Sequence, residues 1–172
     1  MSIIKIKNGS RREINGWTHI VIKGSPYERG YANGYLVAME LKDVFRILDF
    51  SLMDTYGFSR EFFADVIGEL YGTRIKDNYP EFYEEIRGIK EGANARKVNI
   101  SMDDIILWNC NYSIGYIADY IPKLVVDNEK LNKKYGYLFE GNKLSDVKTI
   151  DYGMKIDKCT GFTIYTCFRR IR

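Results

Sequence analysis

Over the first 24 residues apolar and polar positions alternate in short runs broken by Asn8-Gly9 and Asn15-Gly16, dipeptides that supply positive φ in tight hairpin turns. The pattern predicts an antiparallel meander with strands near residues 3–7, 10–14 and 17–23. In the third, Thr18, Ile20 and Ile22 alternate with Trp17, His19, Val21 and Lys23, so both faces carry apolar surface and at least one should be covered. After Gly24 the period changes from two to about three and a half. Ser25 suits an N-cap, Pro26 the first helical position, and Glu28 the reciprocal capping-box place. The helix they start carries Tyr31, Tyr35, Ala38, Leu41, Phe45, Leu48 and Leu52 along one stripe, the spacing of a core face. Gly30 and Gly34 interrupt it at roughly 1 kcal/mol each in helix propensity, so something must offset them. Close approach of a second backbone fits better than direct ligand contact.

A second helix is predicted from Ser59, with Phe62, Phe63, Val66, Ile67, Leu70 and Tyr71 inward. A third starts at Pro80, with Phe82, Ile86 and Ile89 inward and Gly88 and Gly92 as a second Gly-x-x-x-Gly. In the fourth, Ser101 caps and Asp104 stands three residues on, ahead of Ile105, Ile106, Trp108 and Tyr112. Residues 121–158 are polar and turn-rich and read as a connecting segment. A closing strand, 159–168, sets Phe162, Ile164 and Phe168 on one face and Cys159, Gly161, Thr163, Tyr165 and Cys167 on the other. The fold class is α+β: a small meander, about four helices and one terminal strand. The divisions are 1–120, 121–158 and 159–172.

The chain has 172 residues, 45% hydrophobic and 15% aromatic, enough for one buried core. With 26 Lys plus Arg against 23 Asp plus Glu, interspersed, it shows no clustered phosphate-binding patch, and nucleic acid is not an expected partner. No apolar run approaches bilayer length, and the alternating start MSIIKIKNGS is unlike a signal peptide. Cys110, Cys159 and Cys167 form neither an even disulfide framework nor a Cys-x-x-Cys pair, which favours a reducing cell interior. The single histidine, His19, rules out multi-His zinc sites and would have to serve any Ser/His/Asp triad alone. Its place in mid-strand suits a structural role. No metal or cofactor is expected.

Among reactive groups Cys159 stands out, because Lys155 and Lys158 precede it closely enough to favour a thiolate. The alternative is that it packs as a small hydrophobe, as most free cysteines do. Glu84-Glu85 and Asp103-Asp104 are adjacent helical residues that read as solvated faces and first-turn charges. Tyr27, Tyr31, Tyr35, Phe45 and Trp108 fit either the lining of an apolar acyl pocket or, better, a core stripe.

Four ordered segments carry a family resemblance: GWTHIVIKGSPYERGYANGYLVA, NYPEFYEEIRGIKEGANA, ISMDDIILWNCNYSI and KIDKCTGF. Together they resemble the self-processing cysteine N-terminal-nucleophile hydrolases that include acyl-CoA:6-aminopenicillanate acyltransferase and the phospholipase B-like proteins. The motif positions are Gly24, Pro26, Arg29, Gly30, Gly34, Gly88, Gly92 and Asn109, with Cys159 as the nucleophile. The resemblance implies that the Cys159 thiol attacks the preceding Lys158–Cys159 peptide bond. Hydrolysis of the resulting thioester frees an α-amine, whose reference pKa of about 7.7–8.0 lets it serve as the base. Such an enzyme acts on linear acyl amides or esters and needs no histidine.

Members of that family continue well past the nucleophile to complete an αββα sandwich and an oxyanion hole, whereas only residues 159–172 follow the cut here. The expectation is therefore an amino-terminal portion, inactive alone. Its implied partners are a separately encoded carboxy-terminal half or a second copy, with an acyl amide or ester as substrate if active. The alternative is a non-catalytic helical module that binds a partner through apolar surface left uncovered.

Overall fold

Strand β1 (Ile3–Ile6) turns through Lys7-Asn8 into β2 (Gly9–Ile14), which turns through Asn15-Gly16 into β3 (Trp17–Ile22). The computed structural model describes residues 3–140. Antiparallel pairing runs Ile3↔Arg12 to Ile6↔Gly9 and Gly9↔Ile22 to Ile14↔Trp17. The second turn has the expected positive φ, 51° at Asn15 and 79° at Gly16. Neither Asn8 nor Gly9 does, which corrects the reading of that dipeptide. Gly9 is already in the strand, and a Cβ there would stand 3.0 Å from Leu36 Cδ1 and 3.1 Å from the Ala32 methyl. It lets the sheet rest on the first helix.

One predicted helix is two. α1 (Pro26–Leu36) and α2 (Ala38–Tyr56) meet at Val37, whose φ of −115° and ψ of 23° break the ladder. Arg11 of β2 holds the break, its Nη1 donating to the Leu36 carbonyl at 2.9 Å while Nη2 pairs with Glu40 at 2.6 Å. The pairing keeps Glu40 below the ordinary carboxylate range. No residue spacing within the stripe announces this, because the partner lies 25 positions away on the sheet.

α3 (Arg60–Asn78), α4 (Pro80–Ala95) and α5 (Met102–Cys110) start where their caps foretold, with Ser59 and Ser101 accepting from the amides of Phe62 and Asp104. The core gathers Phe45, Leu48 and Leu52 of α2, Phe62, Phe63, Val66 and Ile67 of α3, and Ile105, Ile106 and Leu107 of α5. Phe82, expected inward, is 66% exposed, and Trp108 and Tyr112 of the fourth predicted helix are 44% and 93% exposed. The buried face of α4 is instead Gly88, Gly92 and Ala93, and that of α5 is Asp104 to Leu107.

The stretch after residue 120, expected as a connecting segment, is helical as far as residue 138. A single turn, α6 (Ile114–Ile117), leads through a 3-10 turn to α7 (Ile121–Asp127) and α8 (Glu129–Tyr135), the last capped by Asn128. Ile121, Val125, Leu131, Tyr135 and Phe139 are buried against the core, with the Phe62 and Tyr135 rings edge to face at 5.0 Å. Polar residues on the outer faces of two seven-residue helices mask that apolar spacing. Tyr135 bolts α8 to α3 by donating its hydroxyl to Asp65 Oδ2 at 2.7 Å, and Lys134 bridges Glu61 and Asp65, each at 2.7 Å. Residues from 141 onward, and with them Cys159, the Lys158–Cys159 bond and the closing strand, lie outside the described residues.

Among the described residues the closest helix-to-helix approach joins α1 to α4. A Cβ added at Gly30 or Gly34 would stand 2.0 Å from the carbonyl oxygens of Glu85 and Ile89. At Gly88 or Gly92 it would stand 2.2 Å from those of Tyr27 and Tyr31. This is the close backbone approach that the four glycines suggest, and each pair is the reason for the other.

Because the obstacles are backbone, Gly30→Ala and Gly88→Ala should each lower the unfolding free energy by about 2–3 kcal/mol or more in urea titration. Gly72→Ala on α3, where nothing lies within 4 Å of the new Cβ, should instead raise it by about 0.5–1 kcal/mol. Equal effects at the two sites would sink the packing account. Tyr135 makes a second prediction. Burial first, and Asp65 second, push its hydroxyl up to about 12. Its contribution is complete below the unfolded value of about 10 and lost as pH rises through the folded one. Tyr135→Phe should cost about 1–2 kcal/mol at neutral pH and flatten the loss of stability between about pH 10 and 12.

Candidate functional site

The motif positions within residues 3–140 lie along one seam and one groove. Gly24 has a φ of 114°, and a Cβ there would meet the Glu28 carboxylate at 2.6 Å, so only glycine admits both this backbone and the cap beside it. Ser25 and Glu28 complete the capping box: the Ser25 amide donates to Glu28 Oε2 at 3.0 Å, and Pro26 opens the helix. Arg29 then reaches both ways, from Nη1 to the Gly24 carbonyl at 3.3 Å and from Nη2 to Glu85 Oε2 of α4 at 2.8 Å. Glu85 was expected on a solvated face. It is instead a half-buried interhelix partner, and nothing in the spacing of α4 distinguishes it from Glu84, which pairs locally with Arg87.

Glu85 also borders an apolar groove of about 450 Å³ between α3, α4 and α5. Ile75, Tyr79, Phe82, Ile86, Ile89 and Ile105 line it together with Asn109 of α5. Asn109 Nδ2 donates to the Ile105 carbonyl at 2.8 Å, which fixes the amide at the end of α5. The groove is within the size range of small-molecule sites, apolar in lining and furnished with two polar groups at its margin. It can hold an apolar chain segment. It offers no nucleophile of its own.

The five aromatics weighed as an acyl lining do not converge there. Phe45 is core, Trp108 is half-exposed, and Tyr27, Tyr31 and Tyr35 run down the flank of the α1–α4 seam with successive ring centroids 6.3 Å apart. That flank is polar at its edge. The Tyr27 hydroxyl donates to Glu91, which raises its pKa, and the Arg87 guanidinium lies 4.4 Å above the Tyr27 ring. His19 is exposed on β3, where its Nδ1 accepts a long 3.4 Å contact from Arg12. Among the described residues it hydrogen-bonds to no serine or cysteine. The described residues hold no group of three or more His, Cys, Asp or Glu side chains placed to bind a metal ion.

An α+β chain with a three-stranded meander and a glycine-seamed helical body is what these features define. Part of the chain, 58% of it, is 28% identical over 103 residues to an uncharacterized protein of Archaeoglobus fulgidus, of which the match covers 17%. The matched region is thus under a fifth of that relative's length. No family model and no solved structure matches the chain.

Cys110 is the one cysteine among the described residues, and burial pushes its thiol above the ordinary range. A thiolate there is disfavoured at neutral pH. In a Cys159→Ala, Cys167→Ala background, iodoacetamide should modify Cys110 several-fold more slowly than free cysteine at the same pH, read by intact mass. Modification at the free-thiol rate would put Cys110 back among candidate nucleophiles.

Proposed function

We propose that the chain carries the amino-terminal portion of a self-processing cysteine N-terminal-nucleophile hydrolase or acyltransferase, phospholipase B-like in kind, acting on linear acyl amides or esters. Cys159 is its nucleophile, and the fold it belongs to is the αββα sandwich. The observation that carries the reading is the mutual packing of the three matched segments within residues 3–140. The Gly24–Gly34 stretch and the Gly88–Gly92 stretch share a backbone seam, Arg29 reaches Glu85 across it, and Glu85 and Asn109 of the third segment border one apolar groove. Residues that match a motif as scattered signals are here one connected structure. The groove's isoleucines and its open mouth suit an acyl chain.

In the proposed chemistry the Cys159 thiol attacks the Lys158 carbonyl carbon, and the peptide nitrogen takes up the thiol proton as the amide becomes a thioester. Water then hydrolyses the thioester, releasing the Lys158 carboxylate and leaving Cys159 with a free α-amine. That amine accepts the thiol proton when the sulfur next attacks an acyl substrate. A second reading, a helical module that binds a partner through uncovered apolar surface, draws support from Phe82, Tyr112, Tyr116 and Tyr120, each more than half exposed.

Intact-mass measurement separates the two. Expressed together with the polypeptide encoded downstream, the chain should be cut at Lys158–Cys159, and Cys159→Ala should keep it as one uncut 20.1 kDa species. Persistence of the uncut wild type, in that setting and alone, would remove self-cleavage and leave the binding module.

A further inference from the structure

A second concavity lies away from the groove, where α2, the start of α3 and the α4–α5 connection meet. Its volume is about 260 Å³, and four of its nine lining residues are cations: Lys42 and Arg46 of α2, Arg60 at the first turn of α3, and Lys97. Phe45, Val98 and Ile100 form its apolar wall, and Asn99 adds a neutral polar group. Asp49 is the single acid in the lining, and its Oδ1 accepts from the Arg60 backbone amide at 2.8 Å. Two further carboxylates stand near the cations. Asp104 sits 3.4 Å from Arg60 Nε but is committed to the Ser101 capping box, and Asp43 makes a 3.5 Å solvent-exposed pair with Arg46. Lys42 and Lys97 make no ion pair among the described residues.

Lys97 holds its place against the backbone's preference. It is the left-handed residue that ends α4, at a φ of 62°. The Lys97 amide donates to the Asn94 carbonyl and the Val98 amide to the Ala93 carbonyl, at 2.9 and 3.1 Å, the two bonds of a Schellman cap. Glycine is the residue that such a position favours, and asparagine the next. A lysine here is conformationally unfavourable for the cap, and it lines a cleft that already holds three cations. The backbone supplies one argument for a function of that charge and the gathering of like charges the other.

We propose that this cleft binds a small phosphate-class dianion, inorganic phosphate or a phosphate monoester, with Lys97 and Lys42 as its principal ligands and the Phe45–Val98–Ile100 wall beside any apolar substituent. A volume just under the range of drug-sized pockets suits a ligand of that size. The claim is independent of the acyl groove and of Cys159.

The position of Lys97 makes the test separable from folding. Isothermal titration of the full chain with inorganic phosphate, and with phenyl phosphate, against sodium chloride of equal ionic strength should give saturable binding that weakens as salt screens the site. Lys97→Gly should leave the thermal midpoint unchanged or raised, since glycine is at ease at this φ, yet weaken phosphate by about tenfold or more, the worth of one charge-assisted hydrogen bond. Lys42→Gln should weaken it comparably, and Lys123→Gln on α7 should not. A lipid headgroup presents the same dianion, so flotation with phosphatidylcholine vesicles, with and without phosphatidic acid, forms a parallel arm. Binding there alone, lost in Lys97→Gly, supports the site with a lipid as the source. No phosphate-dependent signal in either arm, or binding that survives both Lys97→Gly and Lys42→Gln, overturns it.

Discussion

Where Gly30 and Gly34 of α1 face Gly88 and Gly92 of α4, the two helices touch through carbonyl oxygens and amides rather than through side chains. Four glycines in helix interiors forfeit roughly 4 kcal/mol of propensity, a loss that isolated helices of this length could not bear. What offsets it is contact that no larger residue permits, dispersion along two backbones and Cα–H to carbonyl approaches included. Because the bumps are peptide groups at fixed spacing, the register of α1 on α4 has little freedom. Arg29 therefore arrives opposite Glu85, and Tyr27 opposite Glu91. The sheet follows α1, because Gly9 seats β2 on Ala32 and Leu36 and Arg11 ties it to the end of the same helix.

The seam also decides what α4 shows elsewhere. With glycines on one face, its isoleucines at 86 and 89 are left for a different neighbour, and together with Ile75 and Ile105 they make the groove. Burying those branched side chains against α1 would demand a wider separation than the glycines impose. The apolar concavity is thus a consequence of the close contact, and Glu85 at its edge belongs to a helix that the contact aligns. An acyl chain or an apolar segment of protein would find the same surface, so the groove by itself speaks for apolar binding and the cysteine chemistry rests on the sequence resemblance.

Local signals in the sequence were reliable wherever a single residue commits the backbone. Ser25, Ser59 and Ser101 cap helices as they stand, Pro26 and Pro80 open them, and Asn15-Gly16 turns at positive φ. Asn8-Gly9 shows the limit, since the same dipeptide was recruited for close packing against α1 rather than for its turn. Long-range partnerships were not legible. The break at Val37 depends on Arg11 from the sheet, and Glu85 differs from Glu84 only in having Arg29 across the seam. Helices α7 and α8 were hidden by brevity: seven residues give too few apolar repeats to stand out from a polar background, and packing of Tyr135 and Phe139 against Phe58 and Phe62 supplies the order that propensity lacks. Of the candidate site, the glycines, Arg29 and Asn109 could be named in advance, while the isoleucine groove that Asn109 borders emerges only when three helices are brought together.

The catalytic options narrow in the same physical terms. A hydrolase built on imidazole needs its histidine within hydrogen-bond reach of a nucleophile, and His19 faces solvent on β3 with its Nδ1 accepting from Arg12. The Cys110 thiol is half-buried, and burial drives it toward the inert form. Neither side chain can supply a nucleophile and base together. A cysteine that becomes a chain terminus carries both on one residue, and it asks of the preceding fold only a rigid platform and a place for the acyl group. The α1–α4 seam, with the groove beside it, has the properties of such a platform, which is why the proposed chemistry is compatible with a body so poor in conventional catalytic groups.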